Sequence, residues 1–226
     1  MRIGLLTYDY AHLKTAQLVC RYIQNDEITE INLYALPFKP RAERAVIISH
    51  RPDMTRSVPT ESLAELSKVN FLKWDGREDI SESNDIFVIG GAGIVDISFA
   101  NGKPIVNAHP GIIPLTRGLD SFKWAIYNND PVGNTLHLID NKVDKGEILQ
   151  IKYTPVFTSD SLESLAQRHY ESEIDMLANV IGVIGNRIIP SDIEKPATMR
   201  MKAEIEAEMV RNFDDWKTKM TSLQCH

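Results

Sequence analysis

Cysteine is nearly missing from this sequence: Cys20 and Cys225 are the only two, and they form no motif. No disulfide framework and no thiolate metal site can be assembled from such a pair. Cys20 sits on the apolar face of a helical segment and reads as a buried free thiol. Long apolar runs are missing too. The opening MRIGLLTYDYAH carries one positive charge and too short an apolar stretch for a signal peptide. Nowhere does the chain reach the roughly 18 apolar residues of a membrane span. These absences describe a reduced, soluble, cytoplasmic chain with no membrane partner. Basic charge is in deficit: 25 Lys and Arg stand against 31 Asp and Glu, a net charge of −6. That balance argues against coating nucleic acid. Also absent are a nucleophilic Cys, a Gly-flanked Ser elbow, a Walker lysine loop and any Cys/His cluster at zinc spacing, so no metal is called for. GGAGIV, from Gly90, lacks the third glycine of a dinucleotide fingerprint. No repeat or low-complexity tract occurs.

What is present is an ordinary globular composition, 43% hydrophobic and 25% charged over 226 residues, enough for one sizeable core with a small appendage. Strand and helix signals alternate. RIGLLTY is a compact strand, followed by a helix across AHLKTAQLVCRYIQ with Leu13, Ala16, Gln17, Cys20 and Ile23 on one face. INLYAL is a second strand, and TESLAELSKV a helix opening on a Thr cap. DIFVIGG is a buried third strand ending in glycines, PIVNAH a fourth, and a helix runs from about Leu119 to Tyr127. GNTLHLID and GEILQIKYTPV close a hairpin-like unit around NKVDKG. A long helix spans Asp160 to Ile184, with Leu162, Leu165, His169, Ile174, Leu177, Val180 and Ile184 on one stripe. The pattern is α/β: a mostly parallel sheet with helices on both faces, plus a C-terminal amphipathic helix. Ligands on such sheets bind at the carboxyl ends of the strands, where GGAGIV and NAHPG both fall.

VNAHPGIIPLTRG, from Val106 to Gly118, places a carboxamide and an imidazole two residues apart at a strand end. Residues two apart in a strand point to one face, so Asn107 and His109 look into one cleft. Later, DNKVDKG puts Asp144 at a hairpin tip beside Lys145 and Gly146. As residues alone, His109 reads either as a hydrogen-bonded structural histidine or as a working group, and Asp144 either as a solvated turn residue or as its partner.

NAHPGIIPLTRG, GNTLHLIDNKVDKGEILQIKYTPV and DSLESLAQRHYESEIDML follow one another as in the folate-dependent formyltransferases, which this chain resembles from about Asp85 to Ile184. That family comprises glycinamide ribonucleotide, methionyl-tRNA and sugar N-formyltransferases. The resemblance implies a Rossmann-like catalytic domain over residues 1–190, a helical extension over 191–226, and a catalytic triad of Asn107, His109 and Asp144. An amine attacking the formyl carbon of 10-formyltetrahydrofolate creates an oxyanion. Asn107 and His109 would donate to it, while Asp144 orients the imidazole and helps move the proton. The resemblance also implies that the folate's flat head lies against Ile89, Gly90, Gly91, Ala92 and Gly93 and against Ile139, Asp140 and Val143. The glycines would let backbone approach the ring; without a ligand they make a tight strand-to-helix turn.

The acceptor follows from departures. LLTYDYAHLK has no glycine where the purine-pathway enzyme carries a phosphate loop, and the chain stops without the basic C-terminal barrel of the tRNA enzyme. The resemblance then implies a nucleotide-linked amino sugar, a dTDP-4-amino-4,6-dideoxyhexose of bacterial O-antigen or lipopolysaccharide synthesis. FKPRAERAVIISHRPDMTR holds Lys39, Arg41, Arg44, Arg51 and Arg56 against Glu43 and Asp53. It reads as a diphosphate patch or as a solvated loop. Within it His50 and Arg51 are the expected substrate contacts, with Tyr8, Tyr10 and Trp124 as stacking faces or ordinary core. The tail repeats Met201, Ile205, Met209, Phe213, Trp216, Met220 and Leu223 at helical spacing. It either docks on its own domain or pairs two subunits, and a homodimer is expected. Other acceptors remain open, namely another small amine or water, the latter giving a formyltetrahydrofolate hydrolase. So does a non-catalytic folate or nucleotide module on the same fold.

Overall fold

Each strand of the sheet is a short run rich in Ile, Leu, Val or aromatic residues, and in the central strands both faces are buried. The structure, a computed structural model, describes residues 1–38, 46–93, 96–139, 146–189 and 195–224. Strands β1 (Arg2–Tyr8), β2 (Glu30–Leu36), β3 (Val69–Lys73), β4 (Ile86–Ile89), β5 (Ile105–His109), β6 (Gly133–Leu138) and β7 (Ile148–Tyr153) form one sheet in the order β3-β2-β1-β4-β5-β6-β7. The pairs from β3 through β5 are parallel, and β6 and β7 add an antiparallel edge. Chain order reverses between β1 and β4, so a crevice opens there at the carboxyl ends, next to β5.

Alternation along the strands feeds two cores. Leu5, Leu33, Val88 and Val106 pack under α1 (Leu13–Tyr22) and α3 (Leu162–Ala178), which α4 (Val180–Val183) prolongs. Leu6, Tyr34, Phe87 and Ile105 face the other way, beneath Trp74 and the 3-10 turn Ile97–Ala100. A third cluster joins α2 (Ser121–Tyr127) and the start of α3 to α5 (Ala203–Arg211) and α6 (Phe213–Gln224). Met201, Met209, Phe213, Trp216 and Met220 are buried in it, so the apolar stripe of the tail docks on its own chain, and only Leu223 at its end is well exposed. Among the described residues no helix is long and apolar enough to cross a membrane.

Several expected elements differ in detail. Cys20 is exposed, because the inward face of α1 is Lys14, Thr15, Leu18, Val19 and Tyr22. Lys14 and Thr15 can face inward because Glu173 and Thr7 satisfy them at 2.7 and 2.5 Å. The expected helix over TESLAELSKV is only a 3-10 turn, Thr60–Glu65. Leu66 is already extended, and after Lys68 at φ 67° the chain enters the edge strand β3. The long helix starts two residues late, at Leu162 after a Ser161–Ser164 capping box, and breaks at Asn179. The tail helix breaks between Arg211 and Phe213.

Candidate active site

At the end of β5, Val106 and Ala108 face the core under α1 and α3, so Asn107 and His109 share the opposite face, as strand periodicity requires. The antiparallel register places His137 of β6 opposite Asn107 and Thr135 opposite His109. His109 is buried, and its Nε2 lies 3.0 Å from the Thr116 carbonyl and 3.1 Å from the Ser121 hydroxyl. A carbonyl only accepts, so Nε2 carries the hydrogen and Nδ1 is the basic nitrogen of the neutral ring. Gly111 closes this seat: a Cβ there would meet the Thr116 carbonyl, His109 Nε2 and Ser121. His137 Nδ1 faces the Leu138 carbonyl at 3.0 Å, which leaves Nε2 to accept from the Asn107 amide at 3.4 Å. One amide hydrogen of Asn107 thus fixes the side chain, and its second is a donor for a ligand.

The intervening loop is clamped. Thr135 donates to the Gly111 carbonyl at 2.7 Å and accepts from the Ile113 amide at 3.0 Å. Thr116 accepts from the Ile112 amide at 2.8 Å. From the tail, the Thr198 hydroxyl lies 2.8 Å from both the Arg117 and Leu119 carbonyls, which share its single hydrogen, and the Thr198 backbone pairs with Gly118. Asp144, Asp140 and Val143 lie outside the described residues, as do Lys39, Arg41 and Arg44.

Across the crevice, Gly90 and Gly91 at the end of β4 donate to the Leu6 carbonyl at 3.0 and 2.9 Å. A Cβ on Gly91 would strike the His12 and Tyr8 rings, so this glycine serves close packing within the chain, whereas the Cβ position of Gly93 faces open space. Ile89, Ala92 and Ile139 pack against the core of Phe87 and Phe99 but stay partly exposed, leaving an apolar wall beside Gly93. Tyr8 and Tyr10 stand together, centroids 5.5 Å apart, with Phe38 and His12 around them. Burial, with Lys14 and Arg51 nearby, pushes His12 down to about 4.

His50 and Arg51 lie on the segment between β2 and β3, with Arg51 near His12. The His50 ring stacks on Phe122 at 6.0 Å and 10°, and burial with the Arg51 and Lys123 charges lowers it to about 4. Arg51 bonds Glu173 at 2.8 Å, and Lys14 bonds the same carboxylate at 2.7 Å. Burial alone would raise Glu173, but Arg51 and Lys14 outweigh it and hold it at about 2. Two cations on one carboxylate leave a net positive charge, and Arg51, 32% exposed, presents it to solvent. Trp124 does not join this group. It follows Phe122 by two residues, roughly 200° around α2, and lines a separate cavity of about 370 Å³ with Leu115, Pro196 and Met199. Its Nε1 donates to the Met199 carbonyl at 2.7 Å.

His137, Thr116 and the Lys14–Glu173 pair were not singled out in the sequence. A histidine in HLID was visible, but nothing local shows which residue it faces across the sheet.

Residues 97–181 match the family model described as formyl transferase, a span that holds Asn107, His109 and His137. This span is similar to the formyl transferases. The formyl transferase fold extends over the chain: a 4-N formyltransferase from Francisella tularensis superposes with a TM-score of 0.63 at 14% identity, covering 92% of this chain and 86% of that one. An N-formyltransferase from Helicobacter canadensis, solved with folinic acid and dTDP-3-aminofucose, gives 0.63 at 15% identity, covering 94% and 80%. A methionyl-tRNA formyltransferase of Ehrlichia canis is 23% identical over 172 residues, 74% of this chain and 56% of that protein. The chain spans between 5% and 57% of the length of the first curated relatives, phosphoribosylglycinamide formyltransferase among them.

Proposed function

We propose that this protein is a folate-dependent N-formyltransferase that moves a formyl group from 10-formyltetrahydrofolate to the amino group of a nucleotide-linked sugar. The observation that carries the reading is the oriented pair on β5: an Asn107 amide fixed by His137 with one hydrogen to offer, beside a His109 seated through Nε2. When bound, the folate supplies the formyl carbon as electrophile. Asn107 donates to the formyl oxygen as it gains charge, and removing such a donor costs about 100- to 1,000-fold in rate. His109 takes part through Nδ1, donating when charged or accepting the amine's proton when neutral. Asp144 is assigned, on the family resemblance, to helping move the amine's proton. The apolar wall of Ile89, Ala92 and Ile139, with open space at Gly93, fits a flat ring held edge-on by backbone.

The sugar acceptor is supported by the net positive Arg51–Lys14–Glu173 group, which suits a diphosphate, and by the likeness to a structure solved with a dTDP-amino sugar. The Tyr8–Tyr10 pair next to the glycine loop is the available stacking face.

The test is turnover of 10-formyltetrahydrofolate with dTDP- and UDP-linked 3-amino and 4-amino sugars, glycinamide ribonucleotide, methionyl-tRNA and water alone. Transfer to one nucleotide sugar is expected, with Arg51→Ala raising its KM and leaving the folate KM unchanged. Transfer only to another amine replaces the acceptor, hydrolysis alone makes the protein a deformylase, and complete silence leaves a binding module.

A further inference from the structure

Residues 46–59, which carry His50 and Arg51, form no helix and no strand, so a few contacts set their path. Arg51 is tied to Glu173, the His50 ring rests on Phe122, and the Met54 carbonyl accepts the Leu13 amide at 2.7 Å. A further contact comes from the tail. Glu206 on α5 is fully buried in an ion pair with Lys123 of α2, itself 1% exposed. The same Oε1 accepts the backbone N–H of Ile48 at 3.1 Å. Ile48 is buried in the cluster of Phe122 and Met209, two residues before His50.

A buried ion pair is a poor stabiliser, because desolvation offsets the attraction and two apolar side chains of like volume often serve as well. An apolar pair cannot accept the Ile48 N–H, and an unmet buried amide is costly. Burial acts to raise the Glu206 carboxyl, but Lys123 and the Ile48 amide outweigh it and keep it below its usual value. The carboxylate is therefore charged at neutral pH, with its acceptor aimed at the loop.

We propose that Glu206 is a positioning residue: held by Lys123, it anchors the Ile48 amide and thereby fixes His50 and Arg51 for the diphosphate of the nucleotide-linked acceptor. This rests on the nucleotide-sugar reading above. The tail thus contributes to specificity for the acceptor without touching it.

Two double variants separate anchoring from packing. Lys123→Met/Glu206→Met keeps an apolar filling but removes the acceptor for Ile48. Lys123→Met/Glu206→Gln removes both charges and restores a carbonyl at that place. Calorimetric binding of dTDP and of UDP is measured beside turnover, together with hydrogen exchange of the Ile48 amide. With the loop ordered about a tenth of the time, the Met pair should bind the nucleotide about tenfold more weakly. The acceptor KM should rise by the same factor, with kcat and the folate KM unchanged. The Ile48 amide should exchange faster. The Gln variant should recover both affinity and protection. Should the Met pair not fold, Lys123→Leu/Glu206→Ala, which removes the acceptor with smaller side chains, takes its place. Unchanged nucleotide affinity in the Met pair, or no recovery with Gln, overturns the proposal while leaving the function intact. A wild-type protein that binds neither nucleotide overturns both.

Discussion

The His109 ring is held by an arrangement in which no atom is spare. Its Nε2 sits against a backbone carbonyl and a serine hydroxyl, and Gly111 fills the space where any side chain would collide with all three. Strand periodicity made the Asn107–His109 pair legible, because i and i+2 share a face whatever the rest of the fold does. The partners that orient the pair were not legible. His137 is thirty residues away and faces Asn107 only through the β5–β6 register, and Thr116 acts through its backbone, which has no residue signature. Gly111→Ala is therefore expected to lower kcat by about 100-fold or more, approaching His109→Ala, since the ring loses its position for proton transfer. Gly182→Ala, where a Cβ meets nothing within 4 Å, is the matched control and should keep full activity. Steady-state kinetics of the two variants decide the point. Wild-type turnover in Gly111→Ala would mean that the seat described for His109 is not used.

At the scale of elements, the segment before α5 acts as a strap. Residues 195–199 run alongside Arg117–Leu119, with the Thr198 amide on the Arg117 carbonyl at 2.8 Å and the Leu119 amide on the Thr198 carbonyl at 2.9 Å. Gly118 sits at φ 92° directly against the Thr198 backbone, so it is needed both for its conformation and for the close approach. Gly118→Ala should detach the strap and destabilise the protein by about 1–3 kcal/mol. Thr198→Val, which loses the one hydroxyl hydrogen shared by the Arg117 and Leu119 carbonyls but keeps the backbone pairing, should cost about 1 kcal/mol. Urea unfolding midpoints measure both, and equal stability in Gly118→Ala would show that the strap carries little. Element reading from the sequence succeeded where burial was two-sided, as in β1, β4 and β5, and failed where pairing decides. β3 is a half-exposed edge strand, and the α1 face was misread because a lysine and a threonine turn inward to partners on other elements.

The molecule as a whole carries an acid sensitivity that follows from its buried charges. Burial keeps the rings of His12 and His50 near 4 and that of His169 near 3, against the usual 6.5. All three are neutral when folded, so the unfolded chain takes up protons first. Their contribution is complete above about pH 6.5 and is lost as the pH falls toward 4 and then 3. Glu173 and Asp160 are held at about 2, from usual values of 4.5 and 3.8. Burial opposes this in Glu173 and its two cations prevail; for Asp160 the leading cause is the paired hydrogen bonds of Arg168 at 2.7 and 2.8 Å. Their contribution persists to lower pH and disappears only between about 4.5 and 2. The two sets have the same sign but act in succession. Stability should be level from pH 8 to 7 and begin to fall below 6.5, before either carboxylate titrates. The slope should be about 1.4 kcal/mol per pH unit for each histidine fully engaged. In His50→Phe, whose ring can still lie on Phe122, the fall between pH 6.5 and 4 should shrink by about a third, while the loss below pH 4 stays as it was. Calorimetric unfolding across pH 2.5 to 8 resolves the two phases. A midpoint that holds level down to pH 5 would show that the three rings are not kept neutral by the fold, and would leave acid unfolding to the carboxylates alone.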